Sequence, residues 1–313
     1  MLGGTGLIGR HIIETLAGAG VGDVTATYRA RQPFEGHGTQ WKKADLLDLS
    51  ATRAALAGAK VGILCAGKVS TAAELRRDPV RSVLDTLRIG TNALEAAAQE
   101  RVERLILLSS CSGYPEGASA KEEAAMFAGD PPAGWFGVGW MHRFLEKQLE
   151  WYAVHLRRIV SAVALRPTLV YGPYDDFSRE SGHFVPSMIG QVVARQRPIE
   201  VWGDGSQTRN LIHAADVARA VVAALDAPPG YAAYNVAAPL SASVNDVLKT
   251  LTKLDGFADA EIVHRLDRSG GTSALHVSAA AFSQRFGWRP ALSLNDGLAD
   301  TVQWYRRTMI SAR

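Results

Sequence analysis

The sequence predicts an α/β chain: a doubly wound parallel sheet with a smaller C-terminal α/β part. Three observations carry this. A glycine loop, Gly3-Gly4-Thr5-Gly6-Leu7-Ile8-Gly9, runs into a helical pattern with Ile12, Ile13 and Leu16 apolar. Apolar runs at 24–28, 61–66 and 104–109 follow, each separated by a helical stretch. A long amphipathic helix ends near residue 98, with Val83, Leu87, Leu94 and Ala97 on one face. Such alternation places crossover helices between parallel strands.

The elements follow in order. Glycines spaced three apart at a helix start let the backbone approach a pyrophosphate at the positive end of the helix. A loop of this kind follows a buried strand of about five residues, yet only Met1 and Leu2 precede it. The central strand is therefore expected to be truncated, with the natural start upstream and the sheet split without it. Beyond residue 159 the pattern becomes mixed. Residues 159–165 read as a strand and 166–173 as strand end and turn; helices are expected at 187–195, 215–225, 244–254 and 294–306, with short strands at 199–202 and 210–213. No internal repeat or low-complexity tract interrupts the chain.

Composition narrows the class. The 313 residues are 47% hydrophobic and 21% charged, as in a globular chain. Thirty-four basic against 31 acidic residues leave a net +3, too small and scattered for nucleic-acid binding. No apolar run approaches the ~18 residues of a membrane span, and no secretory signal is visible. Cys65 and Cys111 form no disulfide framework or CxxC pair. A reduced, cytoplasmic location is expected, and no metal-ligand spacing stands out.

Several motifs recur in an order that resembles a known family. They are the glycine loop, Ala44-Asp45-Leu46-Leu47-Asp48, Leu108-Ser109-Ser110-Cys111, the Arg-Pro-Thr-Leu-Val-Tyr-Gly-Pro run at 166–173, Arg209-Asn210-Leu211-Ile212-His213 and Phe286-Gly287-Trp288. Together they resemble extended short-chain dehydrogenases/reductases of the nucleotide-sugar epimerase/dehydratase family. Within it, the GDP-L-fucose synthase group is the most similar. That narrower resemblance rests on Ser109-Ser110-Cys111, Tyr171-Gly172-Pro173-Tyr174-Asp175-Asp176-Phe177, Ser181-Gly182-His183 and Val201-Trp202-Gly203-Asp204-Gly205. The resemblance implies a Rossmann NAD(P)-binding domain over 1–165 and a mainly substrate-binding part over 166–313, with segments returning to the first domain.

The resemblance also implies a Tyr-x-x-x-Lys pair, whose tyrosine exchanges a proton with the carbonyl oxygen while its lysine lowers the phenol pKa. This sequence departs from it. Val138-Gly139-Trp140-Met141-His142-Arg143 puts Val138 at the tyrosine and His142 at the lysine; starting at Phe136 puts Phe136 and Trp140 there. The first register keeps Glu146, Gln148 and Tyr152 at the usual helix spacing. Neither supplies the pair, so ordinary carbonyl reduction is in doubt.

Cys111 and His183 match the pair that the resemblance assigns to epimerisation. A thiol and an imidazole can each move a proton at a carbon beside a ketone near neutral pH. Ser109 is the candidate hydrogen-bond donor to the substrate carbonyl, and Tyr114 or His142 the candidate substitute acid. A plain structural role stays open for each: a buried thiol for Cys111, a helix-capping loop residue for His183, a packed ring for Tyr114. Arg209 falls where the family grips the substrate diphosphate, and Trp202 is a candidate for the nucleotide site. His213 and Asp216 match a structural motif opening a helix, and Cys65 is expected to be structural.

The cofactor follows from charge. NAD-preferring sites place a carboxylate at the end of the second strand, whereas here that strand ends Thr27-Tyr28-Arg29-Ala30-Arg31. Arg29 and Arg31 suit a 2′-phosphate, so NADP is expected rather than NAD. Gly3, Gly6, Leu7, Ile8 and Gly9 would hold its pyrophosphate, and Asp45 with Leu46 would meet the adenine. The functional expectation is an NADP-binding epimerase/reductase-like enzyme acting on a keto-sugar or related carbonyl compound, its partner a nucleotide sugar. An atypical reductase, or a cofactor-binding protein without catalysis, stays open beside it. A homodimer is expected through helices near 83–98 and 143–155, because the second carries more apolar surface than one core-facing stripe needs.

Overall fold

A computed structural model describes residues 1–67, 78, 80–117, 121–178, 183–268 and 276–310, the last two without their side chains. The glycine loop leads into helix α1 (Leu7–Gly18), strand β1 (Thr25–Tyr28) and strand β2 (Gln40–Lys43). Helix α2 (Leu49–Leu56), strand β3 (Val61–Leu64), helix α3 (Arg81–Gln99) and strand β4 (Arg104–Leu108) continue the alternation. Helix α4 (Phe136–Glu150) precedes strand β5 (Ser161–Pro167). The β5, β4 and β3 strands pair in parallel, with a later strand, β10 (Gly230–Val236), outside β5.

The sheet does not split at the glycine loop. Leu2 N donates to Ile63 O (2.8 Å) and Leu2 O accepts from Cys65 N (3.1 Å). On the other side, Met1 O accepts from Thr27 N (3.0 Å) and Gly4 N donates to Thr27 O (2.9 Å). Two residues thus carry the ladder between β1 and β3, because both their backbone faces are paired. The Met1 ammonium donates to Thr25 O, and burial lowers its pKa.

Helices cover both faces. On one, α2, α3 and α4 bury Leu56, Leu94, Ala97, Leu145 and Leu149 against Leu105 and Leu107. On the other, α1 and helix α6 (Ala214–Ala224) pack Ile12, Leu16, Val217 and Val221 over Ile63, Ile106 and Val163. The alternation of inward side chains along each strand explains why both faces are apolar.

A third cluster sits beyond the sheet. Helix α5 (Phe184–Val193), strand β7 (Ile199–Trp202), helix α7 (Val244–Leu254) and helix α9 (Leu294–Tyr305) enclose Ile189, Val201, Leu251, Phe257 and Leu298. Short strands β6 (Leu169–Tyr171) and β9 (Leu211–His213) pair in parallel beside it. Ser243 and Asp246 form a capping box at the start of α7. Residues 166–313 therefore contribute to both regions, since β10 and α6 return to the main sheet.

The expected helix at 187–195 begins earlier, at Phe184, with His183 at its N-cap. Strands β2 and β10 were not expected. The first reads Gln-Trp-Lys-Lys at a solvent edge, and the second alternates weakly through Ala232 and Ala233. Edge strands with little apolar contrast give weak period-two signals. Among the described residues, no helix is long and apolar enough to cross a membrane.

Candidate active site

The glycine loop is shaped by close approach. Gly3 has φ +93°, and a Cβ there would stand 2.8 Å from the Ala66 backbone after β3. A Cβ on Gly9 would come within 2.2 Å of Gly3 O, whereas one on Gly6 meets nothing nearer than 3.7 Å. Gly6 is the N-cap of α1 and no acidic residue occupies the first turn. The first amides of the helix, at Leu7, Ile8 and Gly9, have no partner within it. An open cradle of N–H donors at a positive helix end fits a dinucleotide pyrophosphate.

Of the other cofactor candidates, Arg31 reaches this cradle. Arg31 Nη1 donates to Thr5 O and to Tyr174 O, each at 3.2 Å, placing a guanidinium beside the glycine loop. Arg29 faces Asp45 at 3.9 Å, and both side chains are more than half exposed. Asp45 Oδ1 accepts Leu47 N (3.1 Å), while Leu46 turns its side chain into the core and its carbonyl to Asn92. Leu46 thus offers backbone, not side chain, to a ligand.

At the C-terminal end of β4, burial organises a polar network. Ser109 Oγ donates to Glu146 Oε1 (2.5 Å), and Glu146 also accepts from Arg166 Nη2 (2.6 Å) and Nε (3.0 Å). Arg166 Nη1 donates to Tyr114 Oη (3.0 Å) and Glu123 O (2.9 Å). Tyr114 Oη in turn donates to Asn235 Oδ1 (2.7 Å). Cys111 Sγ–H donates to Arg166 O (3.1 Å) at the end of β5.

Ser109, Cys111 and Tyr114 therefore gather around one Arg166–Glu146 pair. Burial pushes the thiol of Cys111 well above its ordinary range, outweighing the lowering by Arg166. Burial likewise raises the Tyr114 phenol, which Arg166 only partly opposes. Both groups are held protonated at neutral pH. The Tyr114 hydroxyl is engaged on both sides, which leaves little of it to act as a substitute acid.

Helix α4 carries Val138 and His142, the residues expected in place of the missing pair. Val138 is half-buried and packs against the apolar cluster beneath the sheet. His142 is one turn before Glu146; burial lowers its pKa to about 4, and its Nδ1 is buried with no hydrogen-bond partner in the described structure. A neutral imidazole there cannot supply a lysine's charge. His183 lies on the separate loop before α5, its Nδ1 3.6 Å from Asp175 Oδ1. Ser181 and Gly182 of that motif lie outside the described residues.

Toward the third cluster, Trp202 is 43% exposed with the Arg268 guanidinium 5.3 Å from its ring. Arg209 is half-buried and donates to Thr208 O (2.8 Å), and burial lowers its pKa. His213 caps α6 through Nδ1, and Asp216 accepts from Ala291 N, Leu292 N and Arg219. Cys65 bonds Leu2 O, its thiol pushed up to about 12 by burial. Sequence reasoning missed Arg166, Asn235 and Asp175. Arg166 was visible only as the first residue of a strand-end motif, and Glu146 only as a spacing marker.

Comparison with known proteins identifies the family. Residues 1–237 match the NAD dependent epimerase/dehydratase family. The probable GDP-L-fucose synthase 1 of Oryza sativa subsp. japonica is 27% identical over 259 residues, covering 80% of this chain and 77% of that protein. The GDP-L-fucose synthase of Escherichia coli K12 is 24% identical over 97% of this chain and 94% of its own. In structure, UDP-glucose 4-epimerase of Thermotoga maritima superposes with a TM-score of 0.86 at 23% identity, covering 98% of each chain. A GDP-L-fucose synthetase of Naegleria fowleri bound to NADP gives 0.83 at 20% identity, covering 99% of this chain and 92% of that one. The family match spans the glycine cradle, the β4 end and the Arg166–Glu146 network alike, and so this chain belongs to the NAD-dependent epimerase/dehydratase family and is an enzyme of that NAD(P)-dependent class.

Proposed function

We propose that this enzyme holds NADP and acts on a keto-sugar nucleotide, or a related carbonyl compound, chiefly by proton transfer through Cys111 and His183. One observation supports the reading: Val138, read at the family's phenol position, is partly buried against the apolar cluster, while Cys111 and His183, read at the epimerising positions, keep a thiol on Arg166 O and an imidazole facing Asp175. Removing a proton beside a ketone needs a base, and returning it from the opposite face needs an acid. The buried thiol stays protonated and suits the acid. His183 then suits the base, with His142 as a donor toward the enolate oxygen; Ser109 would have to turn its one proton away from Glu146 to join it.

Arg29 and Arg31 support NADP, because two guanidiniums at the β1 end favour a 2′-phosphate. The cradle amides of Leu7, Ile8 and Gly9 would hold the pyrophosphate, and the bound nicotinamide supplies hydride exchange. Arg209 and Trp202 suit the diphosphate and base of the nucleotide. The names of the relatives point to GDP- or UDP-linked sugars. A homodimer is part of the proposal: Phe136, Trp140, Phe144 and Trp151 leave an apolar stripe exposed on the outer side of α4.

The test is a screen of GDP-, UDP- and dTDP-linked keto-sugars in deuterated water, with and without NADPH. Deuterium uptake without NADPH oxidation, lost in Cys111→Ala and in His183→Ala, is the expected result. Oxidation that survives both substitutions would favour a reductase using Tyr114 or His142. Neither reaction over the whole panel would favour a protein that only binds its cofactor.

A further inference from the structure

The loop between β6 and α5 makes an unusual turn just before His183. Tyr174 has φ +73°, a left-handed conformation that non-glycine residues adopt only when their surroundings hold it. The surroundings come from α1 and the glycine loop on one side and from α9 on the other. Tyr174 Oη donates to Glu14 Oε1 (3.1 Å), and the Arg10 guanidinium lies 3.7 Å from the ring centroid. His11 and Trp304 pack on the same ring, with centroids at 5.4 and 5.0 Å. Arg31 braces the carbonyl of Tyr174 to that of Thr5.

The next residue benefits from this bracing. The Asp175 side chain is 6% exposed, although it borders a cavity of about 580 Å³ with Arg10, Arg31 and Asp176. Its Oδ1 accepts Asp176 N (2.8 Å) and stands 3.6 Å from His183 Nδ1. Its Oδ2 is buried without a hydrogen-bond partner among the described residues. A buried carboxylate left half-satisfied is costly unless a charged or polar group answers it. The imidazole of His183, 30% exposed, is the group that faces it.

We propose that Asp175 is the positioning residue of His183: its carboxylate faces Nδ1 at ion-pair rather than hydrogen-bond distance and draws the ring's proton to Nδ1, so that Nε2 carries the proton at the substrate carbon. This rests on the reading of His183 as a proton carrier. A carboxylate fixed behind an imidazole sets which nitrogen is protonated and favours the imidazolium that forms on proton uptake. The other charged groups around this turn are Asp176 on the loop, Arg31 from the connection after β1, and the Arg10–Glu14 pair of α1. The arrangement ties the base to the cofactor side: the same turn that carries Asp175 is pinned to the glycine loop by Arg31.

The experiment is a ¹⁵N titration of the histidine side chains in the full-length protein, unmodified and as Asp175→Asn and Asp175→Glu, with His183→Gln assigning the resonance. The expected result is an Nδ1–H tautomer for His183 and a pKa that falls by about one unit in Asp175→Asn. Recovery in Asp175→Glu is expected as well. Run beside it, exchange of whichever keto-sugar nucleotide takes up deuterium should fall about tenfold in Asp175→Asn. An Nε2–H tautomer in the unmodified protein overturns the proposal even if the variants fail to fold. An unchanged His183 pKa in folded Asp175→Asn overturns it too. If His183→Gln exchanges normally, the proton-carrier reading fails instead, and the titration still decides whether Asp175 holds the ring.

Discussion

Removing Glu146 should cost this protein more than any other single change at the β4 end. Its carboxylate is wholly buried, accepts the Ser109 hydroxyl and pairs with Arg166, whose side chain is 3% exposed. Glu146→Leu would leave the guanidinium with only Tyr114 Oη and Glu123 O. Breaking a buried pair from one side costs about 3–5 kcal/mol, because an uncompensated charge remains. The orphaned Ser109 hydroxyl adds about 1 kcal/mol. With an unfolding entropy of about 2.1 cal/mol/K per residue, the 313 residues give about 0.66 kcal/mol/K. A total loss of about 4–6 kcal/mol then lowers Tm by about 6–9 °C. Calorimetry on Glu146→Leu, Arg166→Met and the double variant tests this. The double variant should recover more than half of the loss, since both charges leave together. A drop under about 2 °C for Glu146→Leu, or a double variant as unstable as both singles added, refutes the reasoning.

Three other outcomes are expected. Titration should show NADPH binding at least about tenfold more tightly than NADH, with Arg29→Ala and Arg31→Ala together erasing most of the difference; equal affinities refute the 2′-phosphate reading. Light scattering at micromolar concentration should give a dimer, and Phe144→Glu with Trp151→Glu, residues 53% and 49% exposed, should give a monomer; a monomeric unmodified chain refutes the α4 interface. Acid should destabilise the protein through His142: its folded pKa of about 4 lies below the ordinary 6.5, so the unfolded chain takes the proton first and stability falls between those values. Each pH unit in that window removes up to about 1.4 kcal/mol, and His142→Gln should flatten the fall of Tm below pH 6.5.

The sheet, its helices and the glycine cradle were legible because they rest on strong local signals. Glycine spacing at the loop and the 3.6-residue period of α3 are each set within a few residues. Strand β10 was not, since its place beside β5 depends on contacts about 70 residues away in sequence. The candidate site divides in the same way. Ser109, Cys111 and His183 lie in contiguous motifs and could be picked out. The partners that set their chemistry come from distant segments: Glu146 from α4, Arg166 from the end of β5, Asp175 from the loop beyond β6. Tyr114 was picked out by proximity in sequence, yet its hydroxyl turns toward Asn235, over a hundred positions away. Tertiary pairing, not local pattern, decides which polar side chain is free to act.

On the proposed reading, in which Val138 and His142 stand at the phenol and lysine positions, the two make physical sense together. A lysine at 142 would serve to hold a phenol ionisable; without the phenol its charge has no partner there, and burial would penalise it. Histidine at that position escapes the penalty by staying neutral, which its lowered pKa allows. Valine at 138 in turn adds apolar contact with the cluster under the sheet, where a tyrosine would have to present a hydroxyl. The network one turn further along α4 keeps its own charge balance through Arg166 and Glu146, and so does not depend on a cation at position 142. What this arrangement gives up is an acid timed to hydride arrival. What it keeps is a buried thiol at the end of β4 and an imidazole facing Asp175 on a braced loop, the two groups that the proposed proton exchange would use.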